Sequence, residues 1–303
     1  MSEIKSRRDS VLAQECADLI GLDLIGENIA LTGVSQLKKV YPGSVKFADV
    51  FDDEYIPTLN RMKNSLVIVD PAYEGKLKIP HILSEDPKLH FCIIANYFFP
   101  PDLKTHKIEK TAVIGNNVSI GKNTYIGHNT VIGDNVYIGS DSVILHNVVV
   151  SKNCKIGEKC LVKSGAVLGE RGFGFQRDSN NIPISFPHYG AVIIGNNVEI
   201  GASNTIATGS LGNTVIEDNV KIDDQVHIAH NSHIGTNTMI TAQANILGSV
   251  SIGENCYIGG DAVIRDGRKV GDNCFVGMGS VVVKAVHDHV TVAGNPAHDF
   301  TKN

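Results

Sequence analysis

The chain has 303 residues with 27 basic and 32 acidic side chains, which give a net charge of −5. This balance offers neither a basic surface for nucleic acid nor a polybasic membrane patch, so we expect no nucleic-acid partner. The first residues lack the apolar stretch of a signal peptide, and the most apolar window, 91–99, is too short to span a bilayer. We therefore expect a cytoplasmic protein without integral membrane association.

Residues 1–105 mix apolar and charged segments without a fixed period. This pattern predicts a separate small α/β domain. It contrasts with the remainder of the chain, where a strict short period begins.

An aliphatic residue recurs at every sixth position over 108–168, again over 194–206, and, after a four-residue slip, over 216–282. No amphipathic α-helix has this period. Glycine often follows the aliphatic anchor, and Asn and Asp crowd the next two places, where tight corners with left-handed backbone angles are tolerated. The repeat predicts a mainly β fold, a coiled ribbon of short parallel strands over 106–284 with the aliphatic anchors along its axis.

Four of the six cysteines share one slot of the repeat, two residues before an aliphatic anchor: Cys154, Cys160, Cys256 and Cys274. The slot otherwise holds small residues such as Val, Thr, Ser and Ala. We expect these thiols to be inward-facing packing groups and not disulfide partners.

Two segments leave the period. Residues 169–193, with the sequence GERGFGFQRDSNNIPISFPHYGAVI, form a long excursion, and residues 285–303 form a C-terminal tail that contains AGNPAHDF. Excursions from a rigid scaffold are natural places for function.

The repeat resembles that of the hexapeptide acyltransferases. This resemblance implies a left-handed parallel β-helix with three hexads per coil, and a homotrimer with sites between neighbouring subunits. Three segments resemble, in the same order, the LpxD family of sugar N-acyltransferases: VKFADVFDDEYIPTLNRMKNSLVIVDPA, SGAVLGERGFGFQ and VKIDDQVHIAHNSHIG. The resemblance implies that 1–105 is a nucleotide-binding-like domain and that the substrate is a nucleotide-linked amino sugar.

The same resemblance assigns candidate substrate contacts. Phe47 and Tyr55 align with aromatic residues that stack on uracil. Phe173 and Phe175, in the excursion, either line the sugar or acyl site or only pin the loop against the β-helix. His188 lies near a substrate-loop position of the family.

His230 falls on the histidine of the family's catalytic segment. An amine that attacks a thioester sheds a proton, and a histidine whose pKa lies near the working pH is suited to accept it as general base. Asn231, next in the chain, is a candidate substrate-binding residue, and Asp223 or Asp224 is a candidate to orient the imidazole. This chemistry requires no bound metal or redox cofactor.

A simpler interpretation of His230 is that His-Asn is a recurrent corner pair of the repeat without a catalytic role. The same pair occurs at His128 and at His146. His227 and His233 each precede an anchor, and we expect them to face solvent or a neighbouring subunit.

The chain departs from the LpxD pattern at several positions. The family's second catalytic histidine corresponds to Gly267, leaving Arg265, Asp266 or Arg268 as replacements, and its Asp-Arg-Gly corresponds to residues 207–209, Ala-Thr-Gly. The ending AGNPAH resembles that of coenzyme-A-dependent sugar acetyltransferases. We therefore expect an N-acyltransferase that uses acyl-CoA, or acyl carrier protein, as co-substrate and acts on a nucleotide-linked amino sugar.

Three alternatives stay open. The first is the lipid A enzyme itself, which transfers a 3-hydroxyacyl chain from acyl carrier protein to UDP-3-O-(3-hydroxyacyl)glucosamine. The second is a hexapeptide scaffold without catalytic activity. The third is a zinc enzyme like the γ-class carbonic anhydrases, although its His-x4-His pair is absent from the repeat.

Overall fold

The computed structural model describes residues 10–39, 41–50, 52–62, 64–100 and 107–299. The chain forms two compact units, residues 1–103 and 104–303. No helix within the described residues is long and apolar enough to cross a membrane.

The first unit is an α/β unit around a five-stranded sheet, as the sequence predicts. In spatial order the strands are Leu24–Ile25, His81–Leu83, Ser65–Val69, Ser44–Ala48 and Gly33–Val34; the first is antiparallel to its neighbour and the others are parallel. A two-stranded ladder joins Val11–Leu12 to Ala30–Leu31. The helices are Ala13–Ile20, Ile56–Leu59 and Pro87–Phe98, with 3-10 turns at Asp53–Tyr55 and Pro71–Tyr73.

The central strand Ser65–Val69 is buried along its whole length, as expected for a strand covered on both faces. Helix Pro87–Phe98 begins at Asp86, whose carboxylate accepts the backbone N–H of Leu89, and packs on the sheet through Ile94 and Phe98. Helix Ala13–Ile20 ends at Gly21, which adopts the left-handed conformation that glycine allows.

The second unit is built from three parallel sheets, which we call face one, face two and face three. Face one contains Lys107–Ile108, Tyr125–Ile126, Val143–Ile144, Leu161–Val162, Glu199–Ile200, Lys221–Ile222, Met239–Ile240, Tyr257–Ile258, Phe275–Val276, Thr291–Ala293 and the antiparallel His298–Asp299. Face two contains Val113–Ile114, Val131–Ile132, Val149–Val150, Val167–Arg171, Thr205–Thr208, His227–Ile228, Asn245–Ile246, Val263–Ile264 and Val281–Val282. Face three contains Ser119–Ile120, Tyr137–Ile138, Lys155–Ile156, Val192–Ile194, Thr214–Ile216, His233–Ile234, Ser251–Ile252 and Lys269–Val270.

Each strand pairs with the strand three hexads later in the chain, as Ile120 does with Ile138. Three hexads therefore complete one coil, and successive coils stack in register. This arrangement confirms the predicted left-handed parallel β-helix. Its axis is filled by the anchors, which are almost all fully buried from Ile126 to Val282.

The corners between faces have a constant backbone pattern. The third residue after most anchors has a positive φ, for example 54° at Asn117 and 59° at Asn135. Stacked corner asparagines also donate from Nδ2 to the Oδ1 one coil on, as Asn219 does to Asn237 at 3.0 Å. The enrichment of Asn at the corners thus reflects both its tolerance of left-handed angles and this amide ladder.

The four repeat cysteines are buried along the axis, which confirms their role as packing groups. Burial raises the pKa of the Cys256 thiol to about 11. The Cys256 thiol is therefore inert near neutral pH.

The excursion begins where strand Val167–Arg171 runs on past its anchor. It forms a hairpin of Phe175–Arg177 with Pro183–Ser185 and rejoins face three at Val192–Ile194. A second, shorter insertion separates Thr205–Thr208 from Thr214–Ile216.

The predicted end of the β-helix at residue 284 is wrong. Val286 bridges to Val270, and strand Thr291–Ala293 pairs in parallel with Phe275–Val276. The anchors continue, but with a shortened spacing after Val282 that the strict period does not detect. Strand His298–Asp299 then turns back antiparallel against Thr291–Ala293.

Candidate active site

The corner that joins face two to face three carries the candidate site. We call the second residue after each face-two anchor its corner column; successive members include Thr208, His230, Gly248 and Asp266. Thr208 donates from Oγ1 to the Gly190 carbonyl oxygen at 2.7 Å and so ties the end of the excursion to this corner.

His230 is half-buried, and a neighbouring amide fixes the orientation of its imidazole. Its Nδ1 lies 3.1 Å from Oδ1 of Asn231, and the same Oδ1 accepts the backbone N–H of Ser210 at 3.0 Å and the Ser210 hydroxyl at 2.7 Å. Because a backbone N–H only donates, the atom it meets is the amide oxygen, and the proton between Asn231 and His230 belongs to Nδ1. The neutral imidazole therefore presents an unprotonated Nε2.

The excursion brings a second histidine to His230. The rings of His188 and His230 meet edge to face, with centroids 5.6 Å apart and planes at 78°. Nδ1 of His188 lies 2.9 Å from the Phe186 carbonyl oxygen, so it carries the proton, and the buried Nε2 has no hydrogen-bond partner within the described residues. Gly172 lies against both rings; a Cβ there would come within 3.2 Å of His188 Nε2 and of His230 Cδ2.

The opposite edge of the His230 imidazole faces Gly248. A Cβ at residue 248 would lie 2.7 Å from both Nε2 and Cε1 of His230, and 2.8 Å from Oδ1 of Asp266. His230 and Asp266 are therefore neighbours across a gap that exists only because residue 248 is glycine. Of the three residues that the sequence offers as replacements for the missing histidine, Asp266 has this contact.

The structure does not bring Asp223 and Asp224 to His230. They occupy the corner between face one and face two, where Asp224 accepts the Ala202 N–H at 2.7 Å and Asp223 accepts the Asp224 N–H at 2.8 Å. The group that orients His230 is Asn231. The sequence places the aspartates close in number but on the wrong corner of the coil.

The two phenylalanines of the excursion do not pin it to the β-helix. Phe173 is 86% exposed and Phe175 is 48% exposed, and their rings pack on each other with centroids 4.9 Å apart. They are exposed apolar groups of the loop that also holds Gly172 beside His230.

Phe47 and Tyr55 line one cavity in the first unit. The cavity has a volume of about 460 Å³ and is also bordered by Ser35, Gln36 and Asp49. The ring of Phe47 packs against that of Phe91 with centroids 4.8 Å apart, and this contact fixes one aromatic wall of the cavity.

The other two histidines of the catalytic segment have separate partners. His227 lies on face two with Nδ1 2.7 Å from Oγ1 of Thr205, and burial lowers its pKa. His233 lies on face three with Nε2 2.9 Å from Oε1 of Glu217. Within the described ranges, no group of three or more His, Cys, Asp or Glu side chains is placed to hold a metal ion.

The sequence reasoning missed Ser210 and Gly248. Two signals mark them: the four-residue slip between the anchors Ile206 and Ile216, which creates Ser210, and a glycine in the corner column one coil after His230.

Comparisons with known proteins identify the repeat family. The bacterial transferase hexapeptide (six repeats) family matches residues 111–146, 137–170, 213–248 and 249–284. Among solved structures, LpxA from Acinetobacter baumannii superposes with a TM-score of 0.58 at 26% identity, covering 64% of this chain and 73% of that one. The fold and these matches define a hexapeptide-repeat acyltransferase.

Curated relatives narrow the class. UDP-3-O-acylglucosamine N-acyltransferase from Coxiella burnetii is 37% identical over 78% of this chain and 74% of its own length. Proteins of the same name from Helicobacter hepaticus (40% identity; 74% and 72% covered) and Legionella pneumophila (43%; 74% and 70%) also match. The chain belongs to the UDP-3-O-acylglucosamine N-acyltransferase family, the LpxD family, and is a sugar N-acyltransferase.

Proposed function

We propose that this enzyme transfers an acyl chain from a thioester to the amine of a UDP-linked 3-O-acylglucosamine, with His230 as general base. The observation that carries the proposal is the Asn231 contact, which leaves Nε2 of His230 unprotonated and beside the open Gly248 position. The shared name of the curated relatives supports the acceptor.

The reaction follows from this proton arrangement. The neutral amine attacks the thioester carbonyl carbon, forming the C–N bond, and its proton passes to Nε2 of His230. The tetrahedral intermediate then collapses with cleavage of the C–S bond, and the imidazolium returns the proton to the departing sulfur. The Asn231 oxygen stabilises the imidazolium between these steps, because Nδ1–H donates to it throughout.

Two further groups support transfer at this corner. The backbone N–H of Gly248 has no hydrogen-bond partner in the part of the chain that the structure describes, and it is our candidate donor to the developing oxyanion. Nε2 of His188 is a buried acceptor, suited to a hydroxyl or amine of the sugar.

The first unit would bind the nucleotide. Phe47 and Tyr55 border the same cavity, which is large enough for a pyrimidine ring to stack between aromatic walls. We expect substitution of either residue to raise KM for the nucleotide sugar more than it lowers kcat.

Membership of this family supports acyl carrier protein as the donor, because the lipid A enzyme that the chain resembles uses that carrier, and no relative named above points to acyl-CoA. We therefore propose the lipid A type of reaction, with a 3-hydroxyacyl chain delivered on the carrier protein. We further propose a homotrimer, which sedimentation equilibrium of the purified chain would test.

The deciding experiment is acyl transfer to UDP-3-O-(3-hydroxyacyl)glucosamine by wild type, His230→Ala and the matched corner variant His128→Ala. Donors are a 3-hydroxyacyl carrier protein, 3-hydroxybutyryl-CoA and acetyl-CoA. We expect turnover with the carrier protein, a loss of at least about 100-fold in His230→Ala, and wild-type rates in His128→Ala.

Turnover with acyl-CoA alone would overturn the donor assignment. Equal rates in wild type and His230→Ala would remove His230 as base. A folded wild-type chain that binds the nucleotide sugar but transfers from no donor would support the non-catalytic scaffold.

A further inference from the structure

Aspartates in the second corner position normally cap the preceding coil. Asp134, Asp218, Asp224, Asp272 and Asp288 each accept the backbone N–H of the corresponding corner residue one coil earlier, at 2.6 to 3.0 Å. In each case the residue just before that N–H is glycine. The absent Cβ makes room for the carboxylate: a Cβ at Gly253 would lie 2.1 Å from Oδ1 of Asp272.

Asp266 is the exception to this pattern. The residue just before the corresponding N–H is Leu247 instead of glycine, so a real Cβ stands where the capping carboxylate would lie. The Asp266 carboxylate instead lies over Gly248, with Oδ1 2.8 Å from the point that a Cβ would occupy there, and Nε2 of His230 lies 2.7 Å from the same point. Within the described residues it accepts no hydrogen bond and forms no ion pair, and Asp266 is exposed.

The two side chains therefore present only acceptors to the Gly248 gap. Nε2 of His230 is unprotonated, and the Asp266 carboxylate has no proton to donate. A neutral amine carries two N–H groups and meets both acceptors, with its lone pair left for the thioester carbonyl. A hydroxyl carries one proton, so one acceptor would face an oxygen lone pair without a partner.

We propose that Asp266 is a specificity-determining residue that selects an amine over a hydroxyl as the acyl acceptor at the His230 site. The inference rests on the proposed function and adds a contact to it: one N–H of the acceptor amine donates to His230 Nε2 and the other to Asp266. Only the amine proton that points at His230 Nε2 is transferred; the second N–H stays in the amide product, and Asp266 remains a carboxylate.

The test compares the UDP-linked 3-O-acylglucosamine with its analogue bearing a hydroxyl in place of the amine, in wild type, Asp266→Asn and Asp266→Glu. Asp272→Asn, which changes a capping aspartate, is the matched control. In Asp266→Asn we expect kcat for the amine to fall about 10- to 100-fold with little change in KM, since a charged hydrogen bond is lost in the transition state. In Asp266→Asn the ratio of amine to hydroxyl transfer should fall. Asp266→Glu should restore part of the wild-type ratio, and Asp272→Asn should leave the ratio unchanged.

The outcomes separate the two proposals. Wild-type transfer to the amine, with the same kcat and the same amine-to-hydroxyl ratio in Asp266→Asn, would overturn the role of Asp266 and leave the proposed function standing. Absence of transfer in the wild type would overturn both. Should Asp266→Asn unfold, as judged by circular dichroism, Asp266→Ser provides the same comparison.

Discussion

The dipeptide His-Asn occurs at two kinds of corner of this β-helix, after face one at His128 and His146 and after face two at His230, and its hydrogen-bond partners differ between them. At His128, the amide of Asn129 donates to Asn147 one coil on, at 3.4 Å, and the imidazole stacks on His146 with ring centroids 5.6 Å apart. At His230, the side-chain amide of Asn231 is not part of the asparagine ladder. Its Oδ1 accepts hydrogen bonds from Ser210 and from His230 itself.

The difference comes from the neighbouring coils. At the His128 corner, each side chain lies next to an identical residue one coil later, since His146 and Asn147 repeat His128 and Asn129. At the second corner the next coil offers Gly248, and the preceding coil carries the insertion that supplies Ser210. Where the repeat is kept, its side chains bond to their equivalents in the next coil; where it is broken on both sides, the imidazole is left for the proposed chemistry.

The largest effect should follow from filling the Gly248 gap. In Gly248→Ala the new Cβ would lie 2.7 Å from Nε2 of His230 and 2.8 Å from Oδ1 of Asp266, so both side chains would have to move from the positions in which they receive the amine. We expect kcat/KM to fall by at least about 100-fold, with the melting temperature nearly unchanged because the φ of Gly248 lies outside the left-handed region. Gly260→Ala, at an equivalent corner where the nearest atom is 3.2 Å away, should stay active. Wild-type activity in Gly248→Ala would show that the acceptor binds elsewhere.

A smaller effect should follow from releasing the imidazole. Asn231→Ala removes the acceptor that fixes the proton on Nδ1, and the loss of about one hydrogen bond corresponds to a roughly 10-fold fall in kcat. Asn129→Ala is closely matched, because φ is 59° at Asn231 and 57° at Asn129, so both variants should lose similar stability. Steady-state rates should distinguish them. Equal kcat values for the two variants would mean that Asn231, like Asn129, is a corner residue only.

The smallest effect concerns the first corner and is one of stability. Glu109 accepts from Lys107 Nζ at 2.7 Å and from the Tyr125 hydroxyl at 3.1 Å, and the hydrogen bond from Lys107 above all holds the pKa of this carboxyl below its ordinary value of 4.5. A carboxyl whose pKa is lowered in the folded state adds stability at pH values above its ordinary pKa. This stability is lost as the pH falls through the lowered pKa. Glu109→Gln should therefore melt slightly below wild type at pH 7, converge with it in acid, and keep its kcat. Melting curves between pH 3 and 7 check this; a drop in kcat would give the His128 corner a role in catalysis.

Much of the fold follows from the period of six, because each hexad has the same structure. An aliphatic anchor points inward, a small residue lies two places before it, and a corner with left-handed backbone angles follows. The same logic correctly places buried cysteines such as Cys256. It fails at the C-terminal end, where the spacing after Val282 shortens and a strict period sees only a tail.

The candidate site is less predictable for a related reason. His128, His146 and His230 are equivalent in their local sequence, and only the likeness of one segment to a known family singles out His230. Which group orients it depends on residues one coil away, so the aspartates nearest in the chain are misleading and Asn231 is the partner. The position of Asp266 depends on a single exchange, Leu247 for the usual glycine, whose effect appears only when coils are stacked.

The C-terminal strands bear on whether further chains can add end to end along the β-helix axis. A parallel solenoid ends in a row of unpaired strand edges, which are ready templates for another chain. Here the antiparallel strand His298–Asp299 covers the last strand of face one, and Val281 of face two exchanges hydrogen bonds with Gly294 and Ala297. The tail thus covers the last strands of two of the three faces and reduces the unpaired edge on which end-to-end fibres would nucleate.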